Sequence, residues 1–142
     1  MSADEHARHV SSTPPTIPGW VAIIVILGAL LAAAGGIIAA VQPTMLVSAG
    51  APMNAAAYVY AGYLISRGLA LAVMLLAALA LRARQTLLAL MALTTLIQVI
   101  DIVVDATTGR LILLPILVIY AVAFLLGASR LAGQPLWRAA WR

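Results

Sequence analysis

The sequence has no cysteine, no lysine and very few charged side chains. Without cysteine there is no disulfide, thiol nucleophile, thiolate metal site or cysteine-bound iron–sulfur cluster. Only 8% of the 142 residues are charged, whereas soluble domains have about 25%. Because 65% of the residues are hydrophobic, most of the surface of this single domain is expected to face lipid.

Four apolar runs are long enough to cross the hydrocarbon core of a bilayer as helices. They cover residues 20–41, 55–81, 86–104 and 111–129. Lipid cannot satisfy backbone polar groups, and the alternating polarity of a β-barrel is not present. The sequence therefore predicts an all-α, integral membrane, antiparallel four-helix bundle over residues 19–131. The alternative for the first run is a signal peptide cleaved after Val47-Ser48-Ala49, but the run is longer than a signal core.

The arginines predict the orientation of this bundle. They supply all the basic charge and leave a net charge of +4. Six lie on one side of a four-span topology: Arg8, Arg82, Arg84, Arg130, Arg138 and Arg142. Arg110 lies on the other side. The positive-inside rule makes the six-arginine side cytoplasmic, with both termini on that side of a cell (inner) membrane. Since the arginines lie at the ends of apolar runs, a multi-pass membrane protein is favoured over nucleic-acid binding.

The segments outside the spans are short. Residues 1–18 are polar with three prolines and predict a disordered tail. The uncharged loop 43–53 is interpreted as a lid over the bundle or as an interfacial segment. Residues 132–142 place two tryptophans on one helical face, which is typical of an interfacial anchor. His6 and His9 have helical metal-ligand spacing, but in a flexible tail this predicts no metal or cofactor.

Small residues recur at four-residue spacing in the first two spans. Span one has Gly28, Ala32 and Gly36, and span two has Gly68 and Ala72. Such spacing lets membrane helices approach closely, here within the chain or, alternatively, in a homodimer. In span four, Pro115 has no backbone N–H, which predicts a kink near the start of that helix.

Polar residues form one stripe on the third span. Thr94, Gln98, Asp101 and Asp105 step by four, three and four residues, so they share a helical face. Charged residues inside a membrane are costly and are usually paired and functional. This stripe predicts a polar site in the outer half of the bundle.

A second stripe on the preceding span carries Tyr60, Tyr63 and Arg67. Consecutive helices with a short connection lie side by side, so we predict an ion pair between Arg67 and Asp101. Buried ion pairs sometimes only fix helix register, which is the alternative to a functional pocket. The tyrosines can also be read as an interfacial aromatic belt.

The chemistry of this cluster is that of acids and bases. We assign catalytic roles to Asp101, Arg67 and Asp105, because a carboxylic acid beside a permanent cation can move a proton and polarise an oxygen. The substrate-binding residues would be Tyr60, Tyr63, Gln98, Thr94 and Tyr120. A lipophilic small molecule in an outward-opening pocket is expected, with an isomerase, cyclase or epoxide-opening hydrolase activity. The alternative is a non-enzymatic accessory subunit, scaffold or small transporter.

Spans two to four resemble the DoxX-like group of small four-helix membrane proteins of bacteria and fungi. The resemblance is carried by "YLISRGLALAVMLLAALALRAR" and "LIQVIDIVVDATTGR" and covers about two-thirds of the chain. It implies a four-helix bundle and points to Arg67, Gly68 and Asp101 as matching positions. DoxX proteins are linked to sulfur and quinone metabolism, but no further DoxX motif is present, so the resemblance implies the scaffold and not that activity.

Overall fold

A computed structural model describes residues 16–46, 54–109 and 111–133. These residues form four α-helices: α1 (Gly19–Val41), α2 (Ala55–Ala80), α3 (Arg84–Thr107) and α4 (Leu114–Ala132). Short 3-10 turns at Pro43–Leu46 and Leu111–Leu113 follow α1 and precede α4, and the described residues contain no β-strand. The segments Gly19–Val41, Ala55–Ala80, Arg84–Thr107 and Leu111–Ala132 are each long and apolar enough to cross a membrane.

Local hydrogen bonds explain where α2 begins and ends. The Asn54 side chain caps the helix by accepting a hydrogen bond from the Ala57 N–H at 3.1 Å. At the other end, the Arg82 N–H donates to the Leu79 carbonyl and the Ala83 N–H donates to the Ala78 carbonyl. This is a Schellman motif. Its left-handed position holds Arg82 at φ 52° instead of the usual glycine.

The end of α3 lies beyond the predicted span. The helix continues to Thr107, so Asp105 lies in its last turn and not in a loop. The Thr107 and Thr108 hydroxyls donate to the Val103 and Val104 carbonyls of the preceding turn, so both hydroxyl donors are satisfied by the helix backbone. Gly109 follows with φ 78° and ends the helix.

The predicted kink at Pro115 is wrong. Pro115 lies in the first turn of α4, immediately after the 3-10 turn Leu111–Leu113. At this position a helix has no acceptor for the backbone N–H, so proline costs nothing and its fixed φ favours the start of the helix. The proline therefore begins α4 instead of bending it.

The helices form two closely packed pairs, α1 with α2 and α3 with α4, while α1 and α4 make the fewest contacts of the neighbouring helices. Small residues explain the close approach of α1 and α2. A Cβ added to Gly36 would lie 2.9 Å from the Ile65 Cα, and one added to Gly68 would collide with the Ala32 carbonyl oxygen. This confirms the predicted packing role of these two glycines within the chain, and the homodimer stays a prediction. Gly28, in contrast, faces the Phe124 ring of α4.

One end of the bundle, called the closed end, is filled by large apolar side chains. Its buried cluster combines the first halves of α1 and α3 with the second halves of α2 and α4, and its largest fully buried members are Val21, Val25, Leu75, Leu87, Met91 and Phe124. Arg84 joins α3 to α4 here, because its guanidinium donates to the Leu131 carbonyl at 2.6 and 3.0 Å. A cation at the end of a helix is favoured by the helix dipole.

The helix surfaces outside this cluster are apolar. Ile23, Leu27 and Val73 each expose more than half of their surface. A water-soluble protein rarely exposes such a continuous apolar surface. Of the predicted tail 1–18, residues 16–18 are described and Ile17 packs against the closed end; its other residues, loop residues 47–53 and anchor residues 134–142 lie outside the described part.

Candidate functional site

The opposite end of the bundle, called the open end, contains a cavity of about 350 Å³. All four helices line it, and most of its walls are aliphatic. The polar side chains on its surface are Tyr60, Arg67, Thr94, Gln98, Asp101, Asp105 and Tyr120. This size and this mixture of an apolar wall with a few polar groups are typical of a small-molecule site.

The predicted ion pair between Arg67 and Asp101 is present and lines the cavity. The Arg67 guanidinium donates to both carboxylate oxygens, with N···O distances of 2.9 and 3.5 Å. Two-point contact of this kind fixes orientation as well as charge. The side chains are 44% and 29% exposed, so the pair lies at a surface of the cavity and not inside packed protein.

The α3 stripe continues deeper with two buried polar residues. Thr94 donates its hydroxyl hydrogen to the Leu90 carbonyl of its own helix at 2.8 Å, which satisfies that donor. Gln98 is only 8% exposed and lines the cavity, yet no hydrogen bond joins its amide to another described residue. The amide therefore keeps both its donors and its acceptor available toward the cavity.

Tyr120 closes the bottom of the cavity. Its hydroxyl donates to the Gly28 carbonyl at 3.0 Å, and its ring contacts Phe124 edge-on, with centroids 4.5 Å apart. Gly28 permits this arrangement, since a Cβ there would collide with the Phe124 ring. The sequence showed Gly28 only as part of a small-residue stripe, and which helix it faces depends on the packing of the whole bundle.

Tyr60 and Asp105 line the cavity, but the structure does not bring Tyr63 to it. Tyr63 is 70% exposed. At about 100° per residue it lies about 60° around the helix from Tyr60, on the side away from Leu64 and Leu71, which do line the cavity. Gln42 is the C-cap residue of α1, where its backbone N–H donates to the Ile38 carbonyl, and it does not line the cavity.

The α1 wall of the cavity contains Leu31 and Gly35, which the sequence did not indicate as site residues. A Cβ added to Gly35 would meet nothing within 4 Å, so this glycine faces open space. The neighbouring Gly36 packs against α2. In the sequence, the adjacent glycines Gly35 and Gly36 are the signal for this part of the cavity. Gly36 alone is enough for close packing against α2, so the second glycine indicates space at Gly35.

The site offers hydrogen-bonding and acid–base groups but no obvious metal ligand set. Among the described residues, no group of three or more histidine, cysteine, aspartate or glutamate side chains is placed to hold a metal ion. The polar side chains of the site can donate and accept hydrogen bonds, and carboxyl groups are a residue type that can exchange protons with a bound molecule.

Comparison of the chain with protein-family models, with curated proteins and with solved structures finds no match. The resemblance to DoxX-like proteins therefore rests on the residues quoted for it, and the functional interpretation rests on the geometry of the site.

Proposed function

We propose that this chain is a multi-pass protein of the cell (inner) membrane whose open-end cavity binds a lipophilic small molecule and acts on it by acid–base chemistry. The observation that carries the proposal is that the Arg67–Asp101 ion pair lines a largely apolar cavity of about 350 Å³. Ionisable residues at membrane depth are expensive, so their position beside a cavity favours a functional role.

The proposed arrangement is an antiparallel bundle with both termini in the cytoplasm and the cavity open to the outer side. Support comes from the short connection Leu81–Ala83 between α2 and α3 and from the halves of the four helices that meet in the closed end. Arg82, Arg84 and Arg130 all lie at the ends of helices that meet there. An excess of arginine on one side marks the cytoplasmic face.

The proposed chemistry divides roles among three residues. Asp101 gives or takes a proton, Arg67 polarises a substrate oxygen, and Asp105, which also lines the cavity, activates water. Cyclisation and isomerisation need the proton transfer and the polarised oxygen, and hydrolytic epoxide opening also consumes the activated water. Tyr60, Gln98, Thr94 and Tyr120 form the remaining polar wall around the substrate.

The alternative is a non-enzymatic accessory subunit, scaffold or small transporter in which the ion pair only holds α2 and α3 together. Such a pair is expected to be packed on all sides. The exposure of Arg67 and Asp101 to the cavity favours the binding site.

Filling the cavity tests the binding site. Gly35→Leu extends a side chain into open space and should block binding, whereas Gly62→Leu is the matched control, because Gly62 also has nothing within 4 Å of an added Cβ but does not line the cavity. The probe is a diazirine-bearing decane in phosphatidylcholine nanodiscs, with labelled residues mapped by mass spectrometry. Labelling of cavity residues that disappears only in Gly35→Leu supports the site. Equal labelling in both variants contradicts it.

Substitution of Asp101 tests the chemistry. Asp101→Asn keeps the shape and a hydrogen-bond partner for Arg67 but cannot take up a proton, so conversion of lipophilic molecules from a membrane extract should be abolished while the protein still folds. The readout is loss of substrate and appearance of product by mass spectrometry. A variant that fails to accumulate would favour the structural role of the pair, and a folded variant with full turnover would exclude Asp101 as the acid or base.

A further inference from the structure

Gln98 is a largely buried polar residue of the cavity whose amide forms no hydrogen bond with the part of the chain that the structure describes. Its side chain is more than nine-tenths buried, it lines the cavity, and none of the described residues forms a hydrogen bond with its amide. None of the fully buried side-chain nitrogen and oxygen atoms among the described residues lacks a partner, so the Gln98 amide is open to the cavity and not sealed in packed protein. A ligand in the cavity can therefore hydrogen-bond to the amide, which makes the amide a recognition point.

The position of Gln98 beside the ion pair restricts the charge of that ligand. Gln98 and Asp101 are three residues apart on α3, so their Cβ atoms are about 5–6 Å apart. Arg67 and Asp101 already neutralise each other through two hydrogen bonds. A charged head group would either break this pair or add a net charge in a low-dielectric site, and both are costly. An uncharged group that both donates and accepts hydrogen bonds matches the amide without that cost.

The side of the cavity opposite the ion pair lies between α1 and α4, which are loosely packed against each other. The contacts between α1 and α4 are few, and the close approaches recorded between them, Val21 with Gly127 and Gly28 with Tyr120 and Phe124, lie in or next to the closed end. Beyond Tyr120, the lining residues Leu31 and Ile116 are both more than 40% exposed. This leaves an apolar gap between α1 and α4, which can hold a hydrocarbon chain that extends from the membrane.

From these observations, and building on the proposed binding site, we propose that the ligand is an uncharged amphiphile dissolved in the bilayer. Its hydroxyl, carbonyl or amide group hydrogen-bonds to the Gln98 amide next to the Arg67–Asp101 pair, and its hydrocarbon part lies in the gap between α1 and α4.

Four photoreactive probes that share one chain test this proposal in phosphatidylcholine nanodiscs. They are diazirine-bearing decane, decanol, decyl sulfonate and decyl trimethylammonium, of which the last two stay charged at every pH. Decanol should label cavity residues at least about tenfold more than either charged probe. Equal cavity labelling by a charged probe would overturn the ligand class.

The role of Gln98 is tested by Gln98→Leu, which removes the amide and keeps a similar volume. Labelling by decanol should fall about tenfold, as expected for one lost hydrogen bond in a buried site, while labelling by decane should not fall. Thr95→Val is the matched control, since Thr95 lies on the same helix, does not line the cavity and bonds only to the Met91 carbonyl. Unchanged decanol labelling in Gln98→Leu would overturn the role of the amide.

The gap between α1 and α4 is tested by the rate of labelling. Ile116→Trp narrows the gap and should slow decanol labelling several-fold, whereas Ile119→Trp, at a 69% exposed position of the same helix, should not. Unchanged rates would overturn this route. The decane probe separates the two levels of the proposal: if it fails to label the cavity of the unmodified chain, the binding site itself is wrong, and if it labels the cavity while the head-group comparisons fail, only the ligand class is wrong.

Discussion

The closed and open ends of the bundle are made from the same four apolar helices, yet one is filled and the other is hollow. At the closed end, large side chains such as Phe124, Leu75 and Met91 meet and are fully buried. At the open end, α1 presents Ala32, Gly35 and Gly36 beside Leu31, and α3 presents four polar residues. The cavity therefore lies where small residues of α1 and polar residues of α3 line the bundle, whereas interlocking large apolar side chains fill the closed end.

The largest effect is expected from emptying the closed end. Phe124→Ala should lower the free energy of unfolding by roughly 2–4 kcal/mol, near the low end of the range for buried aromatics, because the unfolded side chain returns to lipid and not to water. Unfolding in mixed detergent micelles measures this, and Ile119→Ala on the exposed face of the same helix is the control. Equal losses in the two variants would mean that the two ends do not differ in packing as described.

The contact between α1 and α2 should be nearly as sensitive. Gly68→Ala places a methyl group against the Ala32 carbonyl oxygen and should cost about 1–3 kcal/mol by forcing the helices apart. Gly62→Ala on the same helix meets no atom within 4 Å and should stabilise the protein by about 0.5–1 kcal/mol. The two unfolding midpoints should move in opposite directions, and a shift of both in the same direction would contradict the close packing.

At the open end, the ion pair should contribute less than the packing of the closed end. A double-mutant cycle with Arg67→Met and Asp101→Leu should give a coupling energy of about 1–2 kcal/mol, between the values for exposed and buried pairs. Unfolding of the two single variants and the double variant in micelles measures it. Additive effects of the two single variants would show that the pair does not hold α2 and α3 together. A coupling energy larger than the loss of unfolding free energy in Phe124→Ala would show that the open end contributes more to stability than the closed end.

The smallest effect is expected in the connection at the closed end. Arg82 adopts φ 52°, which is unfavourable for a residue with a Cβ, so Arg82→Gly should raise stability by about 1 kcal/mol. Arg82→Ala loses the same charge but keeps the strain, and it should not gain. A lower midpoint for Arg82→Gly than for Arg82→Ala would show that the strained backbone is not the relevant feature.

Much of the fold could be predicted because the bilayer allows few solutions. Apolar runs in lipid must be helical, and two opposite charges on neighbouring spans are expected to pair. The pairing of Arg67 with Asp101 followed from their stripes. Pro115 was misread because its effect depends on whether the helix starts before it or at it, and the sequence does not show the 3-10 turn Leu111–Leu113.

The rest of the site depends on the rotation of each helix about its axis, which periodicity defines only to within a broad face. Tyr63 was therefore included with Tyr60, although it lies beyond the edge of the cavity wall. For the same reason, the sequence could not show that Gly28 faces α4 while Gly36 faces α2. The assigned roles of Asp101, Arg67 and Asp105 stay predictions.

Tyr120 donates a hydrogen bond to the Gly28 carbonyl, and its ring packs against the ring of Phe124. These contacts close the bundle between the cavity and the closed end. In the proposed orientation, the filled closed end separates the cavity from the cytoplasmic side. A molecule bound beside Arg67 should therefore return to the leaflet from which it came, and vesicles containing the protein should keep a pH gradient.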